Sequence, residues 1–295
     1  MYPAKVESLK LPGACLHYEV RGSGPVLLMI PAGPMDADVF AEVAGLLAGR
    51  YTVVTYDTRG NSRSVFDGPP EDRSVADHAD DAHHLLAALG SEPAYVFGTS
   101  SGALIGLGLV AAHPGQVRAL VAHEPPVTEL LDEAGHHRAE GRRIHETYLA
   151  EGADAALASM IRSGEMDGDR EEPEGPGPEG EPGPGIPEMT ARMRKNVEFY
   201  FAHQWLPLIG HVPDIAGLRA APTRIVVAGG VESREQVAGR AAAALAGRLG
   251  TTVVDFPGDH GGGLADRPAE FAERLHSVLA GGEERYAARG SSGPS

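Results

Sequence analysis

Short apolar runs alternate with helical patterns along most of this chain. Val26–Ile30 is continuously apolar, and a loop rich in proline and glycine follows it, before a helical pattern. The same order of strand, loop and helix returns after residues 51–56, 95–97, 223–228 and 251–256. Since continuous apolar runs suit strands buried on both faces, the alternation predicts an α/β fold around a mainly parallel sheet.

The alternation stops between residues 127 and 213, where only helical patterns remain. We interpret residues 127–213 as an inserted helical lid, and residues 1–126 and 214–280 as the core. Within the insertion, residues 167–188 contain six glycines, six prolines and eight acidic residues. So few of these side chains can be buried that we expect a flexible loop there. Residues 281–295 have the composition of a disordered tail.

The overall composition restricts the class of protein. The net charge of −16 opposes binding to nucleic acid or to anionic membranes. The single cysteine, Cys15, cannot form an internal disulfide. No apolar run approaches the ~20 residues of a membrane span, and residues 1–10 lack the apolar core of a signal peptide. We therefore expect a cytoplasmic protein that binds neither nucleic acid nor membranes.

A serine between two glycines follows one of the predicted strands. Residues 98–102 read Gly-Thr-Ser-Ser-Gly, with Ser100 at the centre. In a nucleophile elbow, small residues two positions before and after the serine permit a turn that exposes its hydroxyl. The neighbouring Ser101 is more suited to packing or to capping the following helix. As a pattern alone, the segment also fits a plain tight turn.

A serine nucleophile needs a base within hydrogen-bond reach, and a carboxylate to hold that base. His260 is the leading candidate base, because it lies in a glycine-rich loop after the last predicted strand. Several other histidines lie on polar helical stretches where a solvated role is expected: His83, His84, His136, His137 and His145.

The strand order, the elbow, the lid position and the terminal Gly-Asp-His-Gly resemble the α/β-hydrolase superfamily, in which nucleophile, acid and base follow in that order. The resemblance covers about residues 5–280. It implies a mainly parallel eight-stranded sheet with helices on both faces and an inserted helical lid. It also implies that Ser100 is the nucleophile and His260 the general base.

The resemblance leaves two glutamates as candidates for the acid. The usual position follows the strand that ends at Ala228, where Glu232 stands in place of the commoner aspartate. Some members of the superfamily carry the acid after the preceding strand, where this chain has Glu124. A glutamate before two prolines also suits a structural role. Glu232 is therefore preferred, with Glu124 as the alternative.

Two further loops match the family with departures. Pro31-Ala-Gly-Pro-Met35 lies where the family often has His-Gly-Gly-Pro-Gly, which implies the backbone N–H groups of Gly33 and Ser101 as oxyanion donors. The segment Asp57-Thr-Arg-Gly-Asn-Ser62 resembles a structural turn of the family with one glycine missing.

The resemblance implies a serine hydrolase that cleaves carboxylic ester or related acyl bonds of small, largely apolar molecules without a metal or cofactor. With serine at the elbow, neither dehalogenase nor epoxide hydrolase activity is expected. One alternative is a lyase or cyclase of secondary metabolism, in which Lys195, Glu198 or His203 would supply an extra acid or base. The other is an inactive binding protein.

Overall fold

The computed structural model describes residues 2–90, 92–164 and 186–281. Its strands, in chain order, are β1 Lys5–Leu11, β2 Ala14–Arg21, β3 Val26–Ile30, β4 Thr52–Tyr56, β5 Val65–Phe66, β6 Ala94–Thr99, β7 Val117–His123, β8 Arg224–Gly230 and β9 Val254–Phe256. They form one sheet in the order β1-β2-β4-β3-β6-β7-β8-β9, with β5 paired to β2. The described residues therefore give nine strands instead of eight, because the two-residue β5 is too short to leave a periodic signal.

The central part of the sheet is parallel. β4, β3, β6, β7, β8 and β9 pair in parallel with one another in that order, whereas β2 pairs antiparallel with β1, β4 and β5. The Pro12-Gly13 turn joins β1 to β2, with Leu11 paired to Ala14. The prediction of a mainly parallel sheet is therefore confirmed.

Helices cover both faces of this sheet. They are α1 Ala41–Leu47, α2 Val75–Leu89, α3 Ser101–Ala112, α4 Ala134–Glu151, α5 Ala153–Arg162, α6 Ile186–Phe199, α7 Trp205–Ile209, α8 Ile215–Ala220, α9 Val237–Leu249, α10 Gly262–Ala265 and α11 Pro268–Leu279. In β3, Leu28 belongs to the core formed with α2, α3 and α9, whereas Leu27 belongs to the core formed with α1 and α11. Both side chains are fully buried, which explains the continuous apolar run.

All of the secondary-structure elements described between β7 and β8 are helical. It contains α4 to α8, and a π-helical turn, Tyr200–Gln204, joins α6 to α7. The predicted flexible loop of residues 167–188 lies outside the described residues, except for its last three positions, at the start of α6. The predicted tail also lies outside them, apart from Gly281. No helix in the described ranges is long and apolar enough to cross a membrane.

Candidate active site

Ser100 occupies a sharp turn between β6 and α3. Its backbone is left-handed, with φ 54° and ψ −125°, and its N–H donates to the His123 carbonyl at 2.9 Å. A Cβ atom on Gly98 would lie 2.3 Å from the Gly102 carbonyl oxygen, and one on Gly102 would lie 2.3 Å from the Ile30 oxygen. Both flanking glycines are therefore required by the close approach of the backbone, as an elbow demands.

The carboxylate of Glu124 is held in place from several directions. Glu124 directly follows β7, is fully buried and has a left-handed φ of 46°. Its Oε1 accepts hydrogen bonds from the Gly230 N–H, at 2.7 Å, and from the Ser233 hydroxyl. Its Oε2 lies 2.6 Å from Nδ1 of His260. Because both oxygens are engaged, the carboxylate fixes the orientation of the imidazole.

The surroundings of Glu124 favour its ionised form. Burial is the largest single influence on this carboxyl group and would raise its pKa. The hydrogen bond from His260, the electrostatic effects of His123 and His260, and the Ser233 hydroxyl together outweigh burial and lower the Glu124 pKa to about 2. A carboxylate facing Nδ1 is thus present throughout the ordinary pH range.

Glu232, the acid that the sequence favours, is not brought to His260. Its half-exposed side chain pairs with Arg267, at 2.7 Å, on the surface. Gly230, the last residue of β8, and Ser233, in the loop that follows, donate hydrogen bonds to Glu124. The end of β8 and its loop therefore hold a carboxylate that follows β7, and the structure places Glu124, not the preferred Glu232, at His260. Ser233 has no sequence signal, since a lone serine in a loop is ordinarily solvated.

The loop that carries His260 approaches the end of β8 closely. A Cβ atom on Gly230 would lie 2.5 Å from the Gly258 oxygen and 2.8 Å from the Asp259 oxygen. A side chain at position 230 would therefore push this loop outward. Gly230 thus contributes twice, through the hydrogen bond from its N–H to Glu124 and through the space that it leaves for the histidine loop.

Gly33 and Ser101, whose N–H groups are the expected oxyanion donors, contact each other through the Ser101 side chain. The Gly33 N–H donates to Oγ of Ser101 at 2.5 Å, so it is engaged by a side chain. The Asn61 amide donates to the Gly33 carbonyl at 3.1 Å. A Cβ atom on Gly33 would lie 3.4 Å from the ring of Tyr200, which covers this loop from the helical insertion.

Ser62 occupies the place of the missing glycine in the turn after β4. Its φ of 47° lies in the left-handed region that favours glycine. Its N–H donates to the Asn196 amide oxygen at 2.6 Å, and its hydroxyl donates to Asp36 at 2.7 Å. The Asn196 amide also donates to the Pro34 carbonyl at 2.8 Å. Asn196, in α6, therefore connects the insertion to the Pro31–Met35 loop. This role could not be predicted from the sequence, because nothing distinguishes one asparagine in a helix.

A cavity of about 10 Å³ lies beside Ser101, which is room for about one water molecule. Its lining residues come from the core and the insertion: Pro31, Gly33, Thr58, His78, Ser101, Ile105, Gln204 and Leu208. Nε2 of Gln204 lies 3.2 Å from Nε2 of His78. Burial lowers the pKa of His78 to about 3, so this imidazole is neutral. The nearest part of the insertion is therefore already in contact with the loops around Ser100.

The three residues that would have supported lyase chemistry lie elsewhere. Lys195 is exposed, Glu198 accepts a hydrogen bond from the Tyr148 hydroxyl at 2.7 Å, and His203 pairs with Asp72 at 2.9 Å. None of the three lines the cavity beside Ser101. Among the described residues, no group of three or more His, Cys, Asp or Glu side chains is arranged to hold a metal ion.

Comparisons with known proteins agree with this architecture. The family described as the alpha/beta hydrolase fold matches residues 25–152. The chain is 38% identical over 276 residues to the "uncharacterized hydrolase YraK" of Bacillus subtilis, covering 92% of this chain and 95% of that protein.

Two solved structures share the fold. A thermophilic esterase from Thermogutta terrifontis aligns with a TM-score of 0.66 at 19% identity, over 96% of this chain and 99% of that one. An alpha/beta hydrolase from Sphaerobacter thermophilus aligns with a TM-score of 0.66 at 22% identity, over 92% of this chain and all of that one, 100%. With a relative of this identity along nearly its whole length, the chain belongs to the α/β-hydrolase family and is an enzyme of the hydrolase type.

Proposed function

We propose that the protein is a serine hydrolase that cleaves carboxylic ester or related acyl bonds, with Ser100 as nucleophile, His260 as general base and Glu124 as the acid. The contact of 2.6 Å between Glu124 Oε2 and His260 Nδ1 carries the proposal. A carboxylate on Nδ1 directs the other ring nitrogen, Nε2, to proton transfer. The left-handed backbone of Ser100 at the elbow supports the role of its hydroxyl.

In the acylation step, Oγ of Ser100 attacks the substrate carbonyl carbon while Nε2 of His260 takes the hydroxyl proton. The tetrahedral intermediate then collapses, the bond to the leaving oxygen breaks, and His260 returns the proton to that oxygen. In the second half, water attacks the acyl-enzyme with His260 again as base, which releases the acid and restores Ser100. The backbone N–H of Ser101, at the start of α3, donates to the negative oxygen.

Residues 127–213 act as a lid over this site and favour small, largely apolar substrates. The support lies in the side chains that the insertion presents near Gly33 and Ser101. The ring of Tyr200 faces Gly33, and Leu208 and Gln204 line the small cavity. Tyr200 also contacts Trp205 and Phe201 edge to face, so the lid is aromatic where it meets the core.

A fluorophosphonate probe tests the nucleophile directly, because it reacts with an activated serine. We expect the probe to label Ser100 in the wild-type protein, and a panel of short p-nitrophenyl esters to be hydrolysed. Ser100→Ala and His260→Ala should each abolish turnover and leave the melting temperature nearly unchanged. Absence of labelling at Ser100 would refute the proposal. Labelling without ester turnover would favour the lyase or cyclase alternative.

A further inference from the structure

The side chain of Ser101 contacts the loop that contains Gly33. Ser101 is the first residue of α3 and is nearly buried. Its Oγ accepts the hydrogen bond from the Gly33 N–H at 2.5 Å. One lone pair of the hydroxyl is therefore used, and the hydroxyl proton is left to donate elsewhere.

The described residues offer no acceptor for this proton. Within the described ranges, the Ser101 side chain has one hydrogen-bond partner, the Gly33 N–H. A buried hydroxyl that accepts but does not donate is unfavourable unless a ligand completes it. The backbone N–H of Ser101 also lacks a partner within the helix, because the first four N–H groups of any α-helix do. Ser101 thus has two unused donors immediately after the proposed nucleophile.

We infer that the Ser101 hydroxyl is a catalytic donor to the oxyanion, together with the N–H of the same residue, and that Gly33 acts through Ser101. This inference rests on the proposed function and deepens it. In the tetrahedral intermediate, the negative oxygen accepts one hydrogen bond from the Ser101 N–H and one from its Oγ–H. The Gly33 N–H donates to the same Oγ, which polarises the hydroxyl and makes it a stronger donor.

The positive end of α3 reinforces this arrangement. α3 spans 12 residues, so its N-terminal N–H groups carry a partial positive charge at the position where negative charge develops. A buried hydroxyl at this end needs no reorientation of solvent when the intermediate forms. The Ser101 hydroxyl then compensates for the altered loop sequence Pro31-Ala-Gly-Pro-Met35, because it donates to the oxyanion in place of the Gly33 N–H.

Replacement of the hydroxyl tests the inference. We expect Ser101→Ala to lower kcat by about 10²-fold with KM little changed, since a donor used in the transition state is lost. Affinity for a trifluoromethyl ketone, which forms a tetrahedral adduct with the serine, should fall by a similar factor. Ser101→Thr retains a hydroxyl and should recover most of both. Thr147→Ala, which removes a hydroxyl from α4, is the matched control and should leave both unchanged.

Ser101→Cys is a second variant, which keeps the test valid if the alanine variant misfolds. Its thiol fills the space of the hydroxyl but is a weak hydrogen-bond donor. We expect it to be slower than wild type as well. The inference is overturned if Ser101→Ala or Ser101→Cys hydrolyses esters as fast as the wild-type enzyme, or faster. The hydroxyl would then block Gly33 instead of assisting it. The proposed function would still stand, provided that the wild-type enzyme is labelled at Ser100 and hydrolyses esters. Failure of the wild-type protein to be labelled would instead remove the proposed function.

Discussion

Glu124 has a backbone conformation that is unusual for a glutamate and a side chain whose two oxygens are both engaged. Its φ of 46° directs the carboxylate from the end of β7 toward the loops after β8 and β9. Left-handed backbone in a residue other than glycine costs about 1 kcal/mol or more, and such conformations are concentrated at functional sites. The three hydrogen bonds to the carboxylate offset that cost.

Substitution of the two glutamates tests the assignment of the acid. We expect Glu124→Gln to reduce kcat/KM by about 10³-fold or more, because an amide neither holds the required tautomer of His260 nor stabilises its positive charge. Glu232→Gln is the matched control, since that side chain faces Arg267 on the surface. Its kcat/KM should stay within about twofold of wild type. Initial rates on a p-nitrophenyl ester check both, and a larger loss in the Glu232 variant would reverse the assignment.

The sequence favours Glu232 as the acid, whereas the structure places Glu124 beside His260. The proposed nucleophile and base could be selected from the sequence because glycines surround them, and glycine is required where the backbone turns or approaches closely. Nothing comparable marks an acid, since its identity depends on which loop directs a carboxylate at the histidine. Gly230 and Ser233 lie in the loop expected to supply the acid, yet they donate to a carboxylate from another strand.

α6 is the element that connects the insertion to the catalytic loops. Asn196 is fully buried and bonds to Ser62 and to the Pro34 carbonyl. One turn earlier, Arg192 forms ion pairs with Asp36 and Asp38. One face of α6 therefore holds the Pro31–Met35 loop and the residues that directly follow it.

We expect Asn196→Ala to lower the free energy of unfolding by about 1–3 kcal/mol, because the buried Ser62 N–H and Pro34 carbonyl lose their partner. It should also lower kcat, since the Pro31–Met35 loop loses its upper support. Lys195→Ala, at the adjacent exposed position of α6, is the control and should change neither quantity. Urea denaturation and ester turnover measure the two effects, and an Asn196 variant as stable and active as the control would contradict this role for α6.

The succession of elements was predictable where their periodicity was strong. The apolar runs and helical patterns located the main strands and helices, including the helical segment between β7 and β8. The short strand β5 and the π-helical turn were not predictable, because two paired residues or one extra residue in a helix leave no periodic pattern. That π-helical turn carries Tyr200 and Gln204, which lie at the candidate site. Turns of this kind often occur at functional sites.

Across the whole molecule, buried neutral histidines link folding to pH. Burial is the main cause that lowers the pKa of His78 to about 3 and that of His123 to about 4, from an ordinary value of 6.5. Below about pH 6.5 the unfolded chain binds protons at these positions, and the native protein does not. The free energy of unfolding is therefore highest above that pH and decreases as the pH falls toward 4.

The contribution of His78 can be isolated. Between pH 6 and pH 4, we expect His78→Gln to flatten the dependence of unfolding free energy on pH by up to about 1.4 kcal/mol per pH unit, which corresponds to one proton. The slope is the readout, so a general loss of stability in the variant does not affect the test. His84→Gln, exposed on the same helix, is the control. Urea titrations at several pH values measure the slope, and equal slopes for the two variants would contradict the prediction.

Backbone hydrogen bonds between neighbouring strand ends fix the relative positions of Ser100 and Glu124. The Ser100 N–H donates to the His123 carbonyl at 2.9 Å, and the Glu124 N–H donates to the Ala228 carbonyl at 2.9 Å. The spacing between Ser100, Glu124 and the end of β8 is thus set by neighbouring parallel strands. No residue described in the insertion takes part in these two hydrogen bonds. The segment between residues 126 and 214 could therefore be exchanged by an engineer without displacing Glu124 from Ser100.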